Sequence, residues 1–139
     1  MFGVKPYIAF NGNCEEAVNF YKDCLNGEIL YLGRWGDSPM GNDENRDKIM
    51  HTTLKIGDSH IMACDTDPEH ASPQTSNISL ALGADDAAAM ETMFNNMAEG
   101  GTVTMPLQKT FWAESFGMLT DKFGVTWMFN CEAKQSTAE

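Results

Sequence analysis

The chain has 139 residues, 42 % of them hydrophobic, and a formal net charge of −11. That length allows one ordinary domain or two half-domains, and that apolar content is too high for a disordered chain. The acidic balance argues against nucleic acid or an anionic membrane as partner, since both call for basic patches. In chain order, Tyr7–Phe10 is predicted to be a strand. Asn11-Gly12-Asn13 form a turn in which Asn13 is the N-cap of a helix, with Glu15 and Glu16 favourably placed in its first turn. Ala17, Phe20, Tyr21 and Cys24 recur at helical spacing, and Asn26-Gly27 closes that helix. Strand Glu28–Gly33 follows. Arg34–Lys48 is polar, glycine-rich and acidic and reads as a long loop, of a length that is often either a functional lid or disordered. Strand Met50–Ile56 then turns at Gly57-Asp58 into His60–Cys64.

The same order is written a second time. Asp65–Asn77, with Pro68 and Pro73, reads as a connection, and Ile78–Leu82 as a strand. Asp85 or Asp86 caps a helix whose apolar stripe is Met90, Met93, Phe94 and Met97, and Gly100-Gly101 ends it. Strand Thr102–Met105 comes next, then Phe111–Thr120, turning at Phe123-Gly124 into Val125–Asn130. The fold class is therefore α+β, two βαβββ modules related by the order of elements and turn signals more than by residue identity. The expected division is a first module over 1–68 (with loop 34–48), a connector over 69–77, a second module over 78–132 and a frayed tail over 133–139. No apolar run approaches the roughly 20 residues of a membrane span. The start Met-Phe-Gly-Val-Lys-Pro leads into a strand rather than a signal-peptide core, so the expected location is the cytoplasm.

Cys14, Cys24, Cys64 and Cys131 form no Cys-x-x-Cys pair, which points to free thiols rather than a zinc knuckle or redox motif. Neither Gly-x-Gly-x-x-Gly nor Gly-x-x-x-x-Gly-Lys-Ser/Thr occurs, so dinucleotide and P-loop cradles are missing. Leu32-Gly-Arg-Trp-Gly36 follows a strand but opens no helix, and Asp65 and Asp67 read as strand-end turn formers. The last hairpin carries the sharpest signal. Glu114 stands in one alternation phase with Trp112, Phe116 and Met118, and an acid among apolar neighbours is costly unless paired, hydrogen-bonded or wet. Two readings stay open for it, an exposed strand carboxylate and a functional acid. His51 and His60 are open in the same way, the first as a hydrogen-bonded strand histidine, the second as an edge residue beside the Gly-Asp turn. His70, in the polar connector, reads as solvated.

Four passages carry a family resemblance: Pro6–Tyr21, His51–Asp65, Gly100–Leu107, and the hairpin with its Thr-Phe-Trp-Ala start and Asp-Lys-Phe-Gly-Val-Thr-Trp end. In these the chain resembles the PhnB-like branch of the vicinal-oxygen-chelate superfamily, which also contains glyoxalase I and bleomycin-resistance proteins. Sequences of this kind are often labelled ubiquinone-pathway methyltransferases, a label these residues do not support. A methyltransferase would need a parallel doubly wound sheet for its nucleotide-like donor, which this strand order does not offer.

The resemblance implies a curved eight-stranded sheet with helices outside, a concave cup for a small molecule, and a homodimer. Strand alternation assigns the faces. Leu54, Ile56, Ile61, Ala63, Trp127 and Phe129 suit the helices. The cup would then hold His51, His60, Met62, Trp112, Glu114 and Phe116, with Cys64, Thr126 and Met128 also facing inward. Metal-dependent members place four His/Glu ligands there, and the glyoxalase quartet carries over to Pro6, Met62, Ser79 and Met128, which is no ligand set for a hard cation. His51, His60 and Glu114 are the alternative ligands should a divalent metal be bound. Two functions stay open. One is a lyase, isomerase or oxygenase acting on vicinal oxygens, with Glu114 as catalytic base or ligand and His51 or His60 assisting. The other is a protein that sequesters a small aromatic or cationic compound against Trp, Phe and Met side chains.

Overall fold

In the computed structural model, which describes residues 2–67, 69 and 77–132, the first element is the strand β1 (Tyr7–Phe10), followed by helix α1 (Cys14–Leu25). Strands β2 (Glu28–Arg34), β3 (Ile49–Ile56) and β4 (Ser59–Asp65) complete the first module. The second repeats it: β5 (Leu80–Ala84), α2 (Ala87–Ala98), β6 (Thr102–Gln108), β7 (Ala113–Thr120) and β8 (Thr126–Glu132). Each module has its own four-stranded sheet, ordered β1-β4-β3-β2 in one and β5-β8-β7-β6 in the other. In each sheet the first and last strands of the module pair in parallel, and the remaining pairs are antiparallel. The chain divides into two units, Met1–Pro73 and Gln74–Glu139. Pro68, His70 and Pro73 of the expected connector, and the 133–139 tail, lie outside the described residues. Among the described residues no helix is long and apolar enough to cross a membrane.

Helix α1 buries Cys14, Ala17, Val18, Tyr21 and Leu25, a stripe turned slightly from the expected one, so that Phe20 and Cys24 are only half-buried. These side chains meet Phe10, Leu54, Ile61 and Ala63 from the sheet, each large one contributing about 1.5–3 kcal/mol by leaving water. In the second unit Met90, Phe94 and Met97 of α2 pack on Leu119, Trp127 and Phe129, and the Phe94 and Phe129 rings meet edge-on at 5.2 Å. Close approach of α2 depends on Gly117, where a Cβ would stand 3.0 Å from the Phe94 ring and from Met105 O.

The helix caps differ from each other. Asp86 caps α2 as expected, accepting from Ala89 N at 3.1 Å. Asn13 occupies the N-cap position of α1 but its side chain makes no capping bond. The distant Asp65 does that work: its Oδ1 accepts from Gly12 N (3.0 Å) and Cys14 N (2.9 Å), and its Oδ2 from Ile49 N (2.9 Å). One carboxylate thus ties the end of β4 to the start of α1 and the start of β3.

Segment 34–48 is pinned rather than open. Trp35 N donates to Lys48 O and Gly36 N to Arg46 O, the Trp35 indole donates to Asp65 O, and Lys48 Nζ reaches Gly12 O at 2.8 Å. Arg34 grips Glu15 through both guanidinium nitrogens, at 2.9 and 2.7 Å, and these bonds hold the Glu15 carboxyl below its ordinary range. The pair is partly exposed, so its net worth is about 1 kcal/mol or less. Strand edges also depart from the sequence reading. β5 starts at Leu80, leaving Ile78 exposed, and β7 starts at Ala113. β6 runs on past Pro106, which is tolerated because β6 is an edge strand whose register slips between Met105 and Gln108.

Candidate functional site

Alternation in the first sheet leaves one face on α1 and the other open. Thr52, Leu54, Ile61 and Ala63 are buried, while His51, Thr53, His60, Met62 and Cys64 are only half-buried on the opposite face. Register then decides who meets whom. Thr53 stands opposite Met62 on β4 and opposite Tyr31 on β2, and Met62 is in turn the partner of Tyr7 on β1. The open face therefore gathers His51, Met62 and Cys64 with two tyrosines that the sequence reading did not single out.

His51 is the centre of this group. Its ring lies 5.6 Å from that of Tyr7 and 6.0 Å from that of Tyr31, tilted by 35° and 39°. Its Nδ1 shares a 3.1 Å hydrogen bond with the Tyr7 hydroxyl, and its Nε2 a 3.4 Å contact with Thr53 Oγ1. Tyr7 as a residue is 49 % exposed, and its hydroxyl, bonded to His51, is shielded from part of the water near the Cys64 and Cys14 thiols. Loss of water first, and then the Cys64 thiol, push Tyr7 up to about 12. Burial, followed by the Asp65 carboxylate, pushes the Cys14 thiol up as well.

His60 does not join this group. It is the cross-strand partner of Lys55 beside the Gly57-Asp58 turn. His51 falls four residues farther along the same ladder, about 13 Å away at the strand rise. The two histidines therefore do not fit a shared metal ion. The residues at the glyoxalase positions, Pro6, Met62, Ser79 and Met128, offer two thioethers, one hydroxyl and a proline, which do not fit a hard divalent ion either.

The other three expected site residues belong to the second unit. Trp112 precedes β7, 48 % exposed, and its ring meets Phe111 at 4.8 Å and Phe116 at 5.4 Å, both edge-on. Phe116 is buried. Glu114 departs from the alternation reading. Ala113 pairs with Glu132 but Ser115 with Cys131, so Glu114 is the extra residue of a β-bulge. It is exposed, and its Oε2 lies 3.9 Å from the Cys131 sulfur, which belongs to the same row of β8 as Trp127 and Phe129. Burial first, and then the Glu114 carboxylate, push the Cys131 thiol up. A bulge interrupts the two-residue period on which the sequence argument rested, and no local turn residue announces it.

The comparisons with known proteins agree with this architecture. The family described as 3-demethylubiquinone-9 3-methyltransferase matches residues 3–129. Protein YjdN of Escherichia coli is 33 % identical over 145 residues, covering 96 % of this chain and 98 % of that one. Among solved structures, protein PA1353 from Pseudomonas aeruginosa has 46 % identity and a TM-score of 0.89, covering 96 % of this chain and all of its own. A PhnB protein from Bacillus cereus has 25 % identity and a TM-score of 0.78, covering 94 % and 99 %. The two mixed sheets are not the parallel doubly wound sheet of a nucleotide-type donor site, so the methyltransferase wording describes the family and not a chemistry seen here. The chain belongs to this family, the PhnB-like branch of the vicinal-oxygen-chelate superfamily.

Proposed function

We propose that this chain is a small-molecule-binding protein that holds a flat, cationic ligand on the open face of its first sheet. The observation that carries the reading is His51 set between the Tyr7 and Tyr31 rings, with Met62 and Cys64 beside it. Aromatic faces attract a desolvated cation, and a net charge of −11 draws cations toward the protein. Fluorescence titration with acriflavine, a flat cation, tests this. Saturable binding should weaken roughly five- to tenfold in Tyr31→Ala and in His51→Ala. It should be unchanged in Glu114→Gln. Equal affinity in all variants would overturn the reading.

A second reading rests on the Tyr7–His51 hydrogen bond, which is also the geometry of a proton-transfer pair. In an enzyme acting on vicinal oxygens, His51 would move the proton and Tyr7 would hold its ring. Glu114 suits the base role less, since its bulge leaves it exposed.

Either reading includes a homodimer. Phe2, Val4 and Phe111 stand almost fully exposed, and burial against a second copy would take these apolar side chains out of water. Sedimentation at micromolar concentration should give twice the chain mass, and a clean monomer would remove the dimer from the proposal.

A further inference from the structure

In the second unit a cavity of about 590 Å³ opens at the carboxyl ends of β5 and β8, lined by Gly83, Ala84, Asp85, Asn130 and Glu132. Its size is that of a small-molecule site, for which roughly 300–1,000 Å³ is usual. Gly83 and Asn130 are register partners in the parallel β5–β8 pair. Among the described residues a Cβ built on Gly83 would meet nothing within 4 Å, so the missing side chain leaves the space open.

Two features say what fits. The Asn130 Oδ1 is buried and has no hydrogen-bond partner among the described residues. A buried amide oxygen left without a donor is destabilising by about 1–3 kcal/mol, so a ligand that brings an N–H is favoured once the amide of Asn130, which lines the cavity, turns its oxygen outward. The surroundings are negative. Asp85 and Glu132 line the cavity, and the carboxylates of Glu114, Asp85 and Asp86 all act on Cys131, the residue after Asn130. Among the described residues the ion pairs are Lys22–Asp23 and Arg34–Glu15, so no basic side chain pairs with these acids, although Asp86 caps α2 through Ala89 N. The acids do not converge into a three-ligand group, so they suit a cation with several diverging donors better than a bare metal ion.

We propose that the cleft at the ends of β5 and β8 binds a small organic cation bearing N–H donors, a primary ammonium or a guanidinium. Asn130 Oδ1 accepts one donor, and the Asp85 and Glu132 carboxylates balance the charge. The proposal goes beyond the Tyr7–His51–Tyr31 site and rests on residues of the other unit alone.

Calorimetric titration of the full chain tests it with two probes of equal charge, benzylammonium and benzyltrimethylammonium. Benzylammonium should saturate one site per chain. Benzyltrimethylammonium, which has no N–H, should bind there at least about tenfold more weakly. Gly83→Leu, which fills the open space, should abolish benzylammonium binding, and Asn130→Leu should weaken it about tenfold. Asp85→Asn, a change on the exposed rim, gives a variant with little effect on folding and should weaken it too. His51→Ala should leave it unchanged, which separates this site from the first. Absence of saturable benzylammonium binding would overturn the proposal. So would equal affinity for the two probes, wild-type affinity in folded Gly83→Leu or Asn130→Leu, or loss in His51→Ala alone.

Discussion

The Trp127 indole donates a 2.9 Å hydrogen bond to Asp121 Oδ2, so the turn of the last hairpin and the core of the second unit share one carboxylate. Asp121 is 3 % exposed, and its Oδ1 also accepts from Phe123 N at 2.8 Å and Val125 N at 3.0 Å. Turn chemistry explains an Asp at this position, but burial of the carboxylate follows from what Trp127 requires. An indole N–H inside an apolar layer needs an acceptor.

Removing that acceptor should be costly. Asp121→Ala removes the carboxylate that accepts from two turn amides and the indole, and should destabilise the protein by about 2–4 kcal/mol. Trp127→Ala empties a core position and should cost roughly 3–5 kcal/mol. The two residues are in contact, so the double variant should lose less than the sum of the single losses. Urea midpoints of the three variants measure this, and strict additivity would show that the bond contributes nothing.

Asp65 offers a parallel case at the end of β4. Its two oxygens accept three backbone N–H groups, two around the start of α1 and one at the start of β3. Asp65→Asn keeps one acceptor oxygen but turns an NH₂ group toward donors that it cannot satisfy. We expect a loss of about 2–4 kcal/mol, more than an ordinary N-cap substitution gives. A loss well under 1 kcal/mol would mean that water replaces the carboxylate there.

The order of elements was legible because its signals are local. Asn26 in the left-handed conformation, Gly57 and Gly124 at positive φ, and Asp86 at its cap each stand where the turn signals lay. Alternation also placed Leu54, Ile61, Trp127 and Phe129 on the helix side, where all four are buried. What stayed hidden depends on register between distant strands. Tyr7 and Tyr31 reach His51 only because β1, β4, β3 and β2 lie side by side in that order. Glu114 left its expected row through a bulge defined by its partner strand. Asp65 serves a helix start fifty-one residues away, which no local cap rule predicts.

Tyr7 gives the chain a test at high pH. Its folded value is raised from 10.0 to about 12, so between these limits the folded chain keeps a proton that the unfolded chain releases. The stability tied to this proton is complete below pH 10 and is lost as pH rises toward about 12. The free-energy difference between wild type and Tyr7→Phe should therefore be flat below that window and shrink across it. Chemical denaturation at several pH values measures it. A constant difference throughout would show that the hydroxyl titrates like one in open water.

The last prediction concerns Glu114, whose nearest reactive neighbour is Cys131. Burial is the larger cause of the raised Cys131 value and the carboxylate the next, so removing the charge should lower that value without making it ordinary. In Glu114→Gln, then, Cys131 should react with iodoacetamide at a lower pH than in wild type, while still lagging behind the half-buried Cys24 and Cys64. Peptide mass mapping after timed alkylation resolves the four thiols separately. The same variant should show unchanged affinity for Zn²⁺, Mn²⁺ and Ni²⁺, because an exposed bulge carboxylate beside a buried thiol is not a chelating set. If Glu114→Gln instead weakened metal binding and left Cys131 untouched, the carboxylate would belong to a metal site, and its contact with the thiol would carry no chemical weight.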